Sequence, residues 1–97
     1  MNAKELAACF RALGDETRVK IVDLLKNGKL CANDILEYFD ITQPTLSYHM
    51  KILTECGLVS CEKRKVRHYY TLNLSMMQSL TRFLDIFLRL NISEFKV

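Results

Sequence analysis

The chain has 97 residues, 49% of them hydrophobic and 26% charged, with one proline and three glycines. That balance excludes a disordered or low-complexity chain and describes one compact domain spanning 1–97, whose apolar surface is consumed by a single core, so binding is a better expectation than a two-domain enzyme with a deep cleft. The formal charge of +3 is mild, but five bases face only two acids between Ile41 and Leu72 while the rest of the chain holds nine of each, the asymmetry expected where one face meets a polyanion.

Asn2 followed by Glu5 has capping-box spacing, and Leu6, Cys9, Phe10 and Leu13 then recur at i, i+3, i+4 and i+7, predicting an amphipathic helix over 3–13 that Gly14 ends. Asp15 and Glu16 open a second helix with negative charge at its N-terminus, with Val19, Ile21, Val22, Leu24 and Leu25 as its apolar face and Asn27-Gly28 as its stop. Residues 32–39 read as a short third helix with Ile35, Leu36 and Phe39 inward. Asp40-Ile41-Thr42 then makes a tight turn. Thr42 suits an N-cap, and Pro44 falls in the first turn of a helix over about 43–55, where its missing N–H costs nothing. Leu46, Met50 and Leu53 carry the buried stripe of that helix, and Gly57 stops it. Two helices joined by a three-residue turn form a helix-turn-helix over about 32–55.

After Gly57 the period changes to two. Leu58-Val59-Ser60-Cys61 and Val66 to Thr71 flank the charged tip Glu62-Lys63-Arg64-Lys65, which predicts a β-hairpin wing over about 58–72. From about 75 to 91 the helical period returns, with Met76, Met77, Leu80, Phe83, Leu84, Phe87 and Leu88 in one stripe, broadened by Ile86 and Leu90. A helix this apolar on more than one face is buried on two sides, one of them against a partner subunit. The expected fold is therefore mainly α with a β-hairpin, a winged helix-turn-helix whose N- and C-terminal helices dimerise through Leu6, Phe10, Phe83, Phe87 and Leu90.

A recognition helix places short hydrogen-bonding side chains of its first turns in the major groove and a base further along on phosphate. Gln43, Thr45, Ser47, Tyr48 and Lys51 have that character, Thr42 can present its hydroxyl to a phosphate, and His49 sits at the edge of the buried face, placed equally well for packing or for DNA. Lys63, Arg64, Lys65 and Arg67 on the wing can follow a phosphate backbone or enter a minor groove. An ordinary solvated helix face and a solvated turn are the bland readings of the same residues. Their succession favours double-stranded DNA.

The run Phe10-Arg11-Ala12-Leu13-Gly14-Asp15-Glu16-Thr17-Arg18, followed by Ile21, Leu24 and Leu25, then Thr42 to Leu53, Gly57-Leu58-Val59 and Tyr69-Tyr70-Thr71-Leu72, resembles the ArsR/SmtB family of bacterial repressors without a gap from residue 6 to 72. The stretch Tyr48-His49-Met50-Lys51-Ile52-Leu53 is similar especially to the SdpR-like autorepressor branch. The resemblance implies a homodimeric winged-helix repressor that binds an inverted repeat in its operator. It also implies two places for metal. The family's thiolate site on the third helix has two cysteines one residue apart, where this chain has Cys31 and then Asn33; its other site needs Asp and His on the last helix, which here holds Asp85 and no histidine. Neither donor set is complete, so no metal, cofactor or small-molecule inducer is expected.

The four cysteines, Cys9, Cys31, Cys56 and Cys61, are expected to be reduced thiols of a cytoplasmic protein, because the N-terminus carries no basic segment before a long apolar run and no stretch of ~18 uncharged residues can span a membrane. Structural thiols are the first reading. Redox or metal response through Cys31, near a helix N-terminus, or through Cys56 and Cys61 beside the recognition helix and wing, is the second. A protein-interaction adaptor that keeps the fold is a further alternative. Catalysis has no support: His49 and His68 lack a nucleophile and carboxylate at recognisable spacing, and no glycine-rich phosphate loop is present.

Overall fold

A computed structural model describes the backbone of residues 1–94 and the side chains of residues 1–90. The elements run α1 (Ala3–Leu13), α2 (Glu16–Leu25), β1 (Leu30–Cys31), α3 (Ala32–Leu36), α4 (Gln43–Glu55), β2 (Val59–Arg64), β3 (Arg67–Leu72) and α5 (Leu74–Glu94). Apart from α3, whose N-cap is Cys31, the helices are capped by short side chains with oxygen acceptors. Asn2 Oδ1 accepts from the Glu5 N–H at 2.8 Å, Asp15 Oδ2 from the Arg18 N–H at 3.0 Å, and Asn73 Oδ1 from the Met76 N–H at 3.2 Å, each satisfying one of the orphan donors of a first helical turn.

The sheet has the order β1-β3-β2 and is antiparallel throughout. Four details depart from the sequence reading. The third helix is five residues long, because the chain turns off after Leu36, although Phe39 still packs against the core. The hairpin tip is a two-residue turn, Lys65-Val66, since pairing continues from Val59↔Leu72 to Arg64↔Arg67 and Lys65 takes the left-handed φ of 56° that such a turn needs. The short strand β1, which pairs Leu30 with Tyr70 and Cys31 with Tyr69, adds a third strand that no period in the sequence announces. Val19, assigned to the buried face of α2, is 48% exposed, while Ile21 and Leu25 on the same helix are buried.

The core joins every element. Cys9 and Ala12 of α1, Ile21 and Leu25 of α2, Ile35 of α3, Leu46, Met50 and Leu53 of α4, Leu58 before the sheet, Val59 and Tyr70 within it, and Leu80 of α5 form one cluster. Gly57 lets the chain pass from α4 into β2 beneath α5. Its φ is +89°, and a Cβ there would lie 2.7 Å from Met76 Cε, so both conformation and space favour glycine. Beyond Leu80, α5 leaves the core, and Leu84, Ile86, Phe87, Leu88 and Leu90 are each more than half exposed. No helix among the described residues is long and apolar enough to cross a membrane.

Candidate nucleic-acid interface

The interface is built on α4. Thr42 caps it, its Oγ1 accepting from the Thr45 N–H at 3.3 Å and donating to Thr45 Oγ1 at 3.0 Å, and Pro44 follows in the first turn. Leu46, Met50 and Leu53 turn one face into the core, which leaves Thr42, Gln43, Thr45, Ser47, Tyr48 and Lys51 exposed on the other. The expected base-reading side chains, which the spacing places within three turns, thus share an open surface.

His49 is the exception on this helix, turned toward α2. It is 8% exposed, and its Nδ1 lies 3.1 Å from Arg18 Nη1 and 3.9 Å from Asp15 Oδ2. A guanidinium has no acceptor, so Nδ1 must accept and the ring proton sits on Nε2. Arg18 also donates from Nε to the Ala12 carbonyl at 2.7 Å. One side chain therefore ties the C-terminal end of α1 to the recognition helix, with its backbone held by Asp15. The Arg18 N–H above all, and then the charge of the Arg18 guanidinium, keep the Asp15 carboxyl below its usual range. Arg18 was visible in the sequence only as part of the family motif; nothing local signals that its partner lies 31 residues on.

The wing carries Lys63, Arg64, Lys65 and Arg67, all exposed. Arg64 Nε donates to Glu62 Oε1 at 2.7 Å, and Lys29, which sequence reasoning missed, donates to Glu62 Oε2 at 3.1 Å. These two cations, by hydrogen bond first and charge second, hold the Glu62 carboxyl low. Lys63, Lys65 and Arg67 make no ion pair among the described residues. Arg64 and Arg67 face each other across the end of the hairpin, a like-charge pair that costs stability in isolation. Arg67 and Gln43 line one cleft of about 130 Å³ with Val66, His68 and the start of α3, so wing and recognition helix open onto the same side of the molecule.

The other predicted residues gather on the opposite elements. Phe10 of α1 and Phe87 of α5 flank Phe83, with ring centroids 6.1 and 5.0 Å from it. Leu6 packs half-buried against the core, whereas Leu90 is exposed. The thiols divide differently from the sequence reading: Cys31 is buried in β1, Cys61 is exposed on β2, and Cys9 and Cys56 come together between α1 and α4. Asn33 stands two positions after Cys31, and no group of three or more His, Cys, Asp or Glu suited to a metal occurs among the described residues.

An exposed polar helix seated by a helix-turn-helix, beside a cationic hairpin, defines a winged helix-turn-helix DNA-binding regulator. Residues 15–60 match the family described as bacterial regulatory protein, arsR family. The chain is 44% identical over 86 residues to the arsenical resistance operon repressor of Staphylococcus xylosus, covering 89% of this chain and 83% of the relative. It is 42% identical over 69 residues to the transcriptional repressor SdpR of Bacillus subtilis, covering 71% and 77%. Its fold is shared, at a TM-score of 0.72 and 21% identity over 97% of this chain and 87% of the other, by the homodimeric winged helix-turn-helix DNA-binding domain of a possible ArsR-family regulator from Mycobacterium bovis. The chain belongs to the ArsR family of transcriptional regulators and is not an enzyme.

Proposed function

We propose that two copies of this single-domain chain form a repressor that reads an inverted-repeat operator in double-stranded DNA. The reading is carried by one observation: Gln43 at the start of α4 and Arg67 of the wing line one cleft, with Thr45, Ser47, Tyr48 and Lys51 exposed along α4 and Lys63 and Lys65 exposed on the wing. In this reading Thr42 presents its hydroxyl to a phosphate at the helix N-terminus, Gln43 and Thr45 contact base edges, Lys51 and the wing hold phosphates, and Arg64 joins them when it leaves Glu62. His49 acts from behind by fixing α4 on Arg18. Leu6, Phe10, Phe83, Phe87 and Leu90 supply the subunit contact, and two recognition helices related by a twofold axis demand an inverted repeat. Selection of binding sites from random duplex DNA tests this directly. The expected product is a palindrome protected over two half-sites; a selected pool without symmetric enrichment overturns it.

The repressor works without a metal switch. Cys31 has Asn33 where a second thiolate is needed, so stoichiometric zinc, cadmium or arsenite under reducing conditions leaves affinity for the selected site unchanged. A metal-dependent release that disappears in Cys31→Ser overturns this part while leaving the DNA reading intact.

A further inference from the structure

We infer that Cys9 and Cys56 form an oxidisable dithiol that closes to an intramolecular disulfide by exchange with a small disulfide, tying α1 to the C-terminal end of the recognition helix. The two cysteines are 47 residues apart, yet Cys9 Sγ donates to the Cys56 carbonyl at 3.5 Å. Cys56 caps α4 and its own thiol donates back to the Leu53 carbonyl at 3.3 Å. Burial first, and then the neighbouring Cys56 thiol, push the Cys9 thiol up to about 11.

Their exposures divide the labour. Cys9 is fully buried, while Cys56 borders a groove of about 360 Å³ lined by Arg11, Arg18, Ile52 and Glu55 among others. A small disulfide therefore meets Cys56 first, and the two arginines at the groove favour one that bears carboxylates. The other two thiols are separated by the sheet: Cys31 pairs with Tyr69 and Cys61 with Tyr70, on strands either side of β3 and on opposite faces, which puts them beyond the reach of a disulfide.

The exchange balances without a further reactant. Deprotonated Cys56 sulfur attacks one sulfur of the small disulfide, forming a mixed disulfide and releasing one small thiol. Cys9 sulfur then attacks Cys56 sulfur, breaking the mixed bond and releasing the second. The two protein thiols are oxidised, one small disulfide is reduced to two thiols, and the two protons leave on them.

The test is to equilibrate the reduced protein with glutathione disulfide, trap with acid, alkylate and map the peptides. The expected result is loss of two of the four thiols, a Cys9–Cys56 linked peptide, no retained glutathione, and full return of the thiols with dithiothreitol. Cys31→Ser and Cys61→Ser still lose two thiols. Cys9→Ser stops at a glutathione adduct on Cys56, and Cys9→Ala, which avoids burying a hydroxyl, does the same if the serine variant fails to fold. A wild-type protein that keeps both thiols free, retains glutathione on Cys56, or links either residue to Cys31, Cys61 or a second chain overturns the inference.

Discussion

Arg18 Nη1 lies 3.1 Å from Nδ1 of His49, while the same guanidinium holds the Ala12 carbonyl at 2.7 Å. The recognition helix is thus aimed by hydrogen bonds that cross from α1 and α2, and not by its apolar stripe alone. A helix docked only through Leu46, Met50 and Leu53 can rock about that stripe; the polar tie on its flank removes that freedom. The arrangement also neutralises a buried polar ring that would otherwise cost stability unpaired.

Asp15 gives this junction an acid limit. Its carboxyl is held below the ordinary value of 3.8, first by the Arg18 N–H and then by the charge of the Arg18 guanidinium. A folded-state pKa below the unfolded one contributes stability that is present above the unfolded value and lost as the pH falls through the folded one, because the unfolded chain then binds the extra proton. Stability should decline as pH drops below about 4. Asp15→Asn keeps a capping oxygen without the charge, so its urea midpoint should fall less steeply between pH 5 and pH 3 than that of the wild type.

Much of this architecture is legible in the sequence because independent signals coincide. For α4, the Thr42 cap, Pro44, the Leu46/Met50/Leu53 stripe and the Gly57 stop agree, and the helix runs over the expected residues. For α3 they do not: Phe39 points inward from a turn as well as it would from a helix, so periodicity overruns the true end at Leu36. A two-residue strand such as Leu30–Cys31 is too short to show a period at all. At the site, exposed polar residues of α4 were readable from the helical wheel, whereas the inward turn of His49 depends on Arg18, and the meeting of Cys9 with Cys56 on tertiary packing.

Base reading and phosphate contact should separate on mutation. Gln43 projects from the first turn of α4, whereas Arg67 lies on the wing across the shared cleft. Gln43→Ala should lose about 1–3 kcal/mol of discrimination at defined operator positions. Arg67→Ala should weaken selected and random duplexes alike and lower the slope of affinity against salt by about one counterion. Filter binding or fluorescence anisotropy across a salt series measures both; equal losses on the two duplexes for Gln43→Ala would remove its base-reading role.

Gly57 predicts a stability change without a change of core. At φ +89° an alanine pays left-handed strain, and its Cβ meets Met76 Cε at 2.7 Å. The methionine end can swing aside, so the backbone strain of roughly 1–2 kcal/mol is the larger cost. Gly57→Ala should lower the unfolding free energy measured by urea titration by that amount, and adding Met76→Ala should not restore it.

The subunit contact should fail at Phe87. Phe83 packs edge-on against Phe87 and tilted against Phe10, so the rings bridge α5 to α1, yet Phe87 remains 52% exposed and Leu84, Ile86, Leu88 and Leu90 are as open. Five large apolar side chains open to water within seven residues mark an interaction surface, and a second copy laying its own α1 and α5 across it would bury them. Phe87→Glu then places an unpaired carboxylate in that interface, where desolvation opposes association. Since Phe87 contributes nothing to the buried core, the variant should keep its helix content by circular dichroism while sedimenting as a monomer at micromolar concentration. Operator affinity should fall with it, because one half-site retains only part of the contacts. A wild-type protein that sediments as a monomer under those conditions, or a Phe87→Glu dimer of undiminished affinity, would place the interface elsewhere on the molecule.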